Sequence, residues 1–164
     1  MVINTSNKSE IAVGYSTQYG DSVGAISLLG DLYKGQVYTL AQFINKKFNN
    51  LIPKQIITRA PSAELKPNQK DQDSLPDYEV LDGLLEGILS YRLDAAQLEN
   101  LGFSASDIQK TLKLYSYSEY KRKQFPPILK ISSKSFGFGY RVPISKVNDF
   151  YHLKLSQGVA HAKK

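Results

Sequence analysis

Hydrophobic residues recur at helical spacing in much of the chain, most clearly in a segment that begins near Tyr33. Residues three and four positions apart lie on one face of a helix, so this spacing predicts an amphipathic helix that packs against a sheet or another helix. Its apolar stripe consists of Val37, Leu40, Ala41, Ile44 and Phe48. The same spacing predicts further helices at 77–90, 94–100 and 104–120.

The N-terminal residues predict a strand that passes directly into a helix. Residues 2–4 form a short segment of extended character. A helix pattern begins near Ser9, with Ile11 and Tyr15 on one face. Open α/β folds bind their ligands at the carboxyl ends of strands. The polar residues between strand and helix are therefore candidates for a ligand site.

A long segment without periodicity divides the predicted helices. Residues 52–76 contain four prolines and a dense polar run at 66–73, which predict a loop with one short extended stretch. We expect its second part, 60–76, to be functional, because structureless loops of this length are functional or disordered. Residues 135–140 fit no helix, and the tail 145–164 predicts a last short helix before a basic end.

Composition limits the classes of protein to be considered. The chain has 164 residues, 41% of them hydrophobic, which suits one domain over 1–164. It has no apolar run of membrane-spanning length and no secretory leader at its N-terminus, so we expect a cytoplasmic protein without a membrane partner. The absence of cysteine excludes disulfides, thiolate metal sites and a cysteine nucleophile within this chain.

The net charge of +6 favours an anionic partner, which could be a nucleotide or a nucleic acid. Phe136, Phe138 and Tyr140 could stack on bases while basic neighbours meet phosphates. No recognisable nucleic-acid motif accompanies them, so we expect no nucleic-acid partner. His152 and His161 are too isolated to form a metal pair, and no Gly-x-Ser-x-Gly motif marks a serine nucleophile.

Individual candidate residues each admit two interpretations. At the strand-to-helix junction, helix-start amides and Lys8 could hold phosphate, or Thr5 or Ser6 could simply cap the helix, with Glu10 as a first-turn acid. A lysine at a helix start opposes the helix dipole, so Lys34 either faces an anionic ligand or is solvated. The turn at Asp21 either faces a ligand or simply stops the preceding helix, and the basic residues at 119–124 either contact an anion or cap the end of their helix.

Taken together and in order, several short motifs resemble the C-terminal half of NAD synthetase, and most closely the glutamine-dependent branch. The resemblance covers about residues 2–144. Its motifs are Asn4-Thr5-Ser6-Asn7-Lys8-Ser9-Glu10, Tyr19-Gly20-Asp21, Lys34, Pro61-Ser62-Ala63-Glu64-Leu65, Gln69-Lys70-Asp71-Gln72-Asp73-Ser74-Leu75-Pro76 and Glu119-Tyr120-Lys121-Arg122-Lys123-Gln124, followed by Pro126-Pro127 and Ser135-Phe136-Gly137.

The resemblance implies an α/β fold of the adenine-nucleotide α-hydrolase-like type, represented by a mostly helical portion whose parallel sheet is largely missing. It also implies ATP, Mg²⁺ and deamido-NAD as ligands in the complete enzyme. The implied ATP contacts are Thr5, Lys34 and Ser62, and the implied deamido-NAD contacts are Glu10, Asp21 and Lys121. Glu10 is also the implied magnesium ligand.

The chain departs from the family in larger ways. We find no Ser-Gly-Gly-x-Asp-Ser phosphate loop and no cysteine of a glutaminase domain, Gly35 stands where threonine or serine is expected, and Ala25 agrees with the glutamine-dependent branch. We therefore expect a C-terminal fragment that is inactive alone, receives ammonia from a glutaminase domain of its parent chain and forms a homo-oligomer. The alternative is a non-catalytic binding or assembly module with a basic tail.

Overall fold

The architecture is mostly helical, with one short parallel sheet near the N-terminus. A computed structural model describes residues 1–62, 67–137 and 140–144. Strand β1 (Ile3–Asn4) pairs in parallel with β2 (Ile26–Ser27), with Asn4 opposite Ser27. Ile128 extends this pairing through an isolated parallel bridge to Ser27. The helices of the described residues are α1 (Lys8–Val13), α2 (Lys34–Lys47), α3 (Lys54–Thr58), α4 (Tyr78–Glu86), α5 (Ala95–Asn100), α6 (Ala105–Tyr117) and α7 (Glu119–Arg122).

The core lies where α1, α4 and α6 meet. Each helix turns one apolar face inward, so that Ile11, Leu84 and Ile108 are almost fully buried at the centre. Burying one such side chain contributes about 1.5–3 kcal/mol, so this junction contributes substantially to stability. A π-helical segment, Gly87–Tyr91, prolongs α4 and packs Ile88 and Leu89 into the same core.

Helix α1 begins and ends at specific signals. Asn7 is its N-cap: the Asn7 side chain accepts a hydrogen bond from the Glu10 amide at 3.0 Å, and the Glu10 carboxylate accepts one from the Asn7 amide at 3.1 Å. The helix stops at Gly14, whose φ of +65° favours glycine. The expectation that Thr5 or Ser6 caps the helix was wrong, because the reciprocal Asn7–Glu10 pair satisfies two amides at once.

The predicted elements and the observed ones differ in three places. The strand β2 was missed, since two residues give no periodicity to detect. The described part of the segment 52–76 contains helix α3 and a 3₁₀ turn, Asp71–Asp73, which the sequence did not predict. The helix predicted at 104–120 is divided at Ser118 into α6 and α7. The tail 145–164 lies outside the described residues.

A buried ion pair ties the segment after Ile128 to the N-terminal half. Lys8 is 2% exposed, and its ammonium lies 2.9 Å from Asp31. Asp31 also accepts hydrogen bonds from the amides of Ile131 and Ser132 and from the Ser132 hydroxyl. Burial opposes the ionisation of Asp31, but these hydrogen bonds outweigh it and hold the pKa of Asp31 below its ordinary value.

A second buried cation, Arg122, joins α7 to α1 and α6. Its guanidinium donates to the Glu119 carboxylate at 2.8 Å and to the carbonyls of Ala12 and Tyr115. The same group stacks on the Tyr115 ring at 4.4 Å from its centroid and lies 5.4 Å from that of Phe136. One of the basic residues at 119–124, Arg122, is therefore a core residue, and its position is not explained by the helix dipole alone.

Candidate functional site

A cavity of about 480 Å³ opens where the end of α1 and the turn after it face α7. Two of the residues predicted to bind deamido-NAD, Asp21 and Lys121, line it although 100 positions separate them in sequence. Its lining residues are Gly14, Tyr15, Ser16, Thr17, Gly20, Asp21, Gln69 and Lys121.

Lys121 supplies the positive charge of this cavity. Its ammonium donates to the carbonyls of Gly14 and Ser16, both at 2.7 Å. An ammonium has three donors, so one remains for a ligand. No carboxylate of the described residues forms a salt bridge with Lys121. The carbonyls thus orient the ammonium without neutralising it, which is the state required to bind an anionic group.

Asp21 stabilises the turn that forms the opposite side of the cavity. Its carboxylate accepts a hydrogen bond from the Thr17 amide, and its main-chain carbonyl accepts one from the Asn4 side chain at 2.7 Å. The turn is thereby tied to the carboxyl end of β1. Asp21 is exposed, and its chemistry in this structure is that of a turn cap beside the cavity.

A second group of predicted residues, Glu10 and Lys34, forms an ion pair. The Lys34 ammonium lies 3.0 Å from Glu10 Oε1 and 5.1 Å from the centroid of the Tyr78 ring. Both side chains keep 18% of their surface exposed, so solvent still reaches the pair. The structure therefore brings together one residue predicted to touch ATP and one predicted to touch deamido-NAD.

The start of α2 is capped by neighbouring helices. The Lys34 amide donates to Ser9 Oγ at 3.0 Å, and the Gly35 amide donates to Asp82 Oδ2 at 2.8 Å. Burial raises the pKa of Asp82, against the hydrogen bonds from Ser9, Gly35 and Lys34. Lys34 thus faces Glu10, while the carboxylate of Asp82, from α4, lies at the N-terminus of α2, where the helix dipole favours a negative charge.

Lys8, considered as a phosphate ligand, is unavailable for that role. Its ammonium is enclosed by Asp31, the Ser132 hydroxyl at 3.0 Å and the Lys134 carbonyl at 2.5 Å. All three donors of the ammonium are engaged, which leaves none for a ligand. The phosphate-binding interpretation of Lys8 was wrong, because a buried counter-charge 23 residues away satisfies it.

Thr5 and Ser62 are not among the residues that line the cavity. Thr5 is exposed just after β1, and Ser62 is half-buried at the edge of the described part of the loop. Their predicted contacts with ATP remain predictions.

Glu10, the implied magnesium ligand, uses one carboxylate oxygen for Lys34 and the other for the Asn7 amide. Within the described ranges no group of three acidic or histidine side chains could hold a metal ion.

Magnesium requires several oxygen ligands in near-octahedral geometry, and it usually takes one or two carboxylates together with phosphates of the substrate. Glu10, the implied ligand, already accepts a hydrogen bond or an ion pair on each carboxylate oxygen, and the described residues contain no group of three side chains that could hold a metal ion, so they do not by themselves form a magnesium site. In the part of the chain that the structure describes, no helix has the length and apolar character to cross a membrane.

Sequence reasoning left several residues around the site without a role. Tyr15 and Gln69 line the cavity, Tyr78 lies against the Lys34 ammonium, and Asp71 is buried beside Tyr78. Their positions depend on contacts across the fold. The available sequence signal was the polar run at 66–73, which contains Gln69 and Asp71.

The fold is that of an NAD synthetase domain, which is adenine-nucleotide α-hydrolase-like. A glutamine-dependent NAD⁺ synthetase from Cytophaga hutchinsonii superimposes with a TM-score of 0.68 at 23% identity, over 93% of this chain and 26% of that one. An NMN synthetase from Francisella tularensis gives a TM-score of 0.59 at 29% identity, over 79% of this chain and 45% of that one. The expected fold class is confirmed.

The chain belongs to the NAD synthase family, whose model matches residues 1–125. It is 42% identical to the glutamine-dependent NAD⁺ synthetase of Synechocystis sp. over 89% of this chain, and 42% identical to that of Aquifex aeolicus over 92%. It spans about a quarter of the length of these relatives, 26% in both cases. The resemblance found in the sequence is confirmed.

Proposed function

We propose that this chain forms part of the substrate site of a glutamine-dependent NAD synthetase. In that reaction the nicotinate carboxylate of deamido-NAD attacks the α-phosphorus of ATP, pyrophosphate leaves, and ammonia then displaces AMP from the adenylate to form the amide. The ammonia is supplied from glutamine by a glutaminase domain of the same longer chain. The chain itself contributes neither a cysteine nor a phosphate loop, so we expect it to be inactive alone.

The observation that carries this proposal is the Lys121 ammonium in the cavity. Two carbonyls fix it and no carboxylate of the described residues neutralises it, so it suits an anionic group of deamido-NAD. Asp21 holds the opposite turn in place. Lys34, in turn, could exchange its partner Glu10 for a phosphate of ATP, since the pair is partly solvated and weak by comparison with a buried one. Thr5 and Ser62 complete the proposed ATP contacts.

Replacing Lys121 by alanine in the complete enzyme that carries this segment should weaken deamido-NAD use strongly. Losing a charge-assisted hydrogen bond costs about 1.5–3 kcal/mol, so we expect kcat/KM for deamido-NAD to fall ~10–100-fold. Lys123→Ala is the matched control, because Lys123 is exposed and does not line this cavity. Steady-state kinetics with both variants decide the matter, and equal losses would reduce Lys121 to a general surface charge.

We also propose that the protein self-associates through α2. The stripe predicted to pack inward includes no fully buried residue, Phe48 remains 55% exposed, and Phe43 and Leu51 are exposed as well. Several large apolar side chains exposed within one short segment, 43–51, are unusual on the surface of a monomer and suit an interaction site. A second copy of the chain would cover them.

Phe48→Glu should therefore raise the dissociation constant of the dimer by roughly tenfold or more, because burying a phenylalanine contributes about 1.5–3 kcal/mol. Leu101→Glu is the control, since Leu101 is 65% exposed at the far end of α5. Light scattering after size-exclusion chromatography measures the mass at several concentrations. A wild-type chain that remains monomeric at all of them would contradict the proposal.

A further inference from the structure

Asp71 is a buried carboxylate for which the proposed function has no role. It is only 3% exposed, at the start of the 3₁₀ turn Asp71–Asp73. Its Oδ2 accepts a hydrogen bond from the Tyr78 hydroxyl at 2.7 Å. Its Oδ1 is equally buried but accepts no hydrogen bond from the described residues. Buried polar atoms are nearly always paired, so a carboxylate left half-paired calls for an explanation.

On one side, Asp71 touches the group around Lys34. The Tyr78 ring, whose hydroxyl Asp71 holds, lies against the Lys34 ammonium, and that ammonium pairs with Glu10. Burial, with the negative charge of Glu10 and the hydrogen bond to Asp71, raises the pKa of Tyr78 far above its ordinary value. Tyr78 therefore stays protonated and remains a hydrogen-bond donor to Asp71 at any physiological pH.

On the other side, Asp71 acts on the wall of the Lys121 cavity. Tyr15 lines that cavity, and its hydroxyl accepts a hydrogen bond from the Gln69 side chain at 3.4 Å. A tyrosine hydroxyl that accepts one bond still has its own proton to donate. Burial, and next to it the negative charge of Asp71, raises the pKa of Tyr15. The open acceptor Oδ1 and the Tyr15 proton are complementary.

We propose that Asp71 is a positioning residue that holds the two halves of the site in register, Tyr78 with the Glu10–Lys34 pair on one side and Tyr15 with Gln69 on the other. The halves bind ATP and deamido-NAD only if the proposed function is correct. Adenylation needs the nicotinate carboxylate within attacking distance of the α-phosphorus, and such alignment contributes strongly to rate. One carboxylate shared by two tyrosines couples the two positions.

The main-chain hydrogen bonds of Asp71 allow this role of its side chain to be tested separately from simple anchoring of the loop. The main chain of Asp71 already fixes the turn, since its amide donates to the Pro61 carbonyl at 3.1 Å and its carbonyl accepts from the Leu75 amide at 2.9 Å. Asp71→Asn retains those main-chain bonds and almost the same shape. It therefore removes the charge of the carboxylate and leaves the local fold in place.

The test uses the ligand-free chain with ¹³C-labelled tyrosine, and Tyr15→Phe and Tyr78→Phe assign the two resonances by NMR. We expect Asp71→Asn to lower the pKa of Tyr15 and to shift the Tyr78 resonance, and Tyr78→Phe to raise the pKa of Tyr15 further, because the carboxylate then has one donor fewer. Asp77→Asn, an exposed aspartate without a side-chain hydrogen bond, should change neither.

A pKa of Tyr15 that does not respond to Asp71→Asn would overturn the proposal. If that variant fails to fold, the rise expected in Tyr78→Phe decides the question, and no rise would equally overturn it. Adding deamido-NAD to the wild-type chain should shift the resonances of both tyrosines, and in Asp71→Asn only that of Tyr15. If the wild-type chain shows no shift at all, the proposed ligand of the cavity is wrong, while the ligand-free titration still decides the role of Asp71.

Discussion

Asp31→Asn is expected to destabilise the protein by about 3–5 kcal/mol, the usual cost of removing one partner of a buried ion pair. The physical reason is that the Lys8 ammonium, 2% exposed, would be left without its counter-charge. Urea unfolding followed by circular dichroism measures the difference. A loss that large is comparable to the whole stability of many domains, so a partly unfolded variant is also an expected outcome.

The double variant Lys8→Met with Asp31→Asn provides the control. It removes both charges, while the asparagine oxygen can still accept from the amides of Ile131 and Ser132. We expect its free energy of unfolding to exceed that of the single Asp31→Asn variant, because no unpaired buried charge remains. If the double variant is as unstable as the sum of the two single variants, Lys8 and Asp31 are not energetically coupled.

The same pair gives the wild-type protein a pH dependence. The pKa of Asp31 is lower in the folded protein than in the unfolded chain, so its contribution to stability is present above the unfolded pKa of about 3.9 and is lost as the pH falls through the folded pKa. The Asp31→Asn variant should lack this component of acid destabilisation.

Arg122→Lys is expected to cost about 3 kcal/mol or more, although it conserves the charge. A lysine cannot reproduce the planar fork that reaches Glu119 and two carbonyls at once, and it loses the stacking on Tyr115. Glu119 is itself buried, so its carboxylate would be left poorly paired. Urea unfolding again measures the effect.

Lys123→Gln, at the next position, is the matched control. Lys123 is exposed, and substitutions at such sites usually change the free energy of unfolding by no more than ~0.5 kcal/mol. Equal effects at the two positions would show that the buried contacts of Arg122 contribute nothing specific. The comparison matters for function too, since α7, which contains Arg122, also places Lys121 in the cavity.

Local signals predicted most helices, because an apolar stripe and a cap are properties of a few neighbouring residues. The stripe from Val37 to Phe48 predicted α2, and that at 77–90 predicted α4 with its π-helical extension. The same reasoning placed the cap of α1 at Thr5 or Ser6, whereas the structure has it at Asn7. All three are residue types that cap helices, so the local sequence does not distinguish them. It could not find β2, which exists only because it pairs with β1.

Candidate site residues were predicted from the order of short motifs, and the structure sorted them by location. Lys121 and Asp21 share a cavity, and Glu10 and Lys34 form a pair. Thr5 and Ser62 do not line the cavity, and their role stays a prediction. Lys8, a candidate phosphate ligand in the sequence, and Arg122, part of the basic helix end at 119–124, lie in the core.

By itself the sequence determined the helical periodicities, the absence of cysteine and, through its ordered motifs, the NAD synthase family. Only the tertiary structure decided which charges line a cavity and which are buried in the core. The reason is that the state of a charged side chain depends on the groups around it, and these come from distant parts of the chain: Asp31 and Ser132 for Lys8, and the turn after α1 for Lys121. Sequence spacing carries no information about such partners until the fold brings them together.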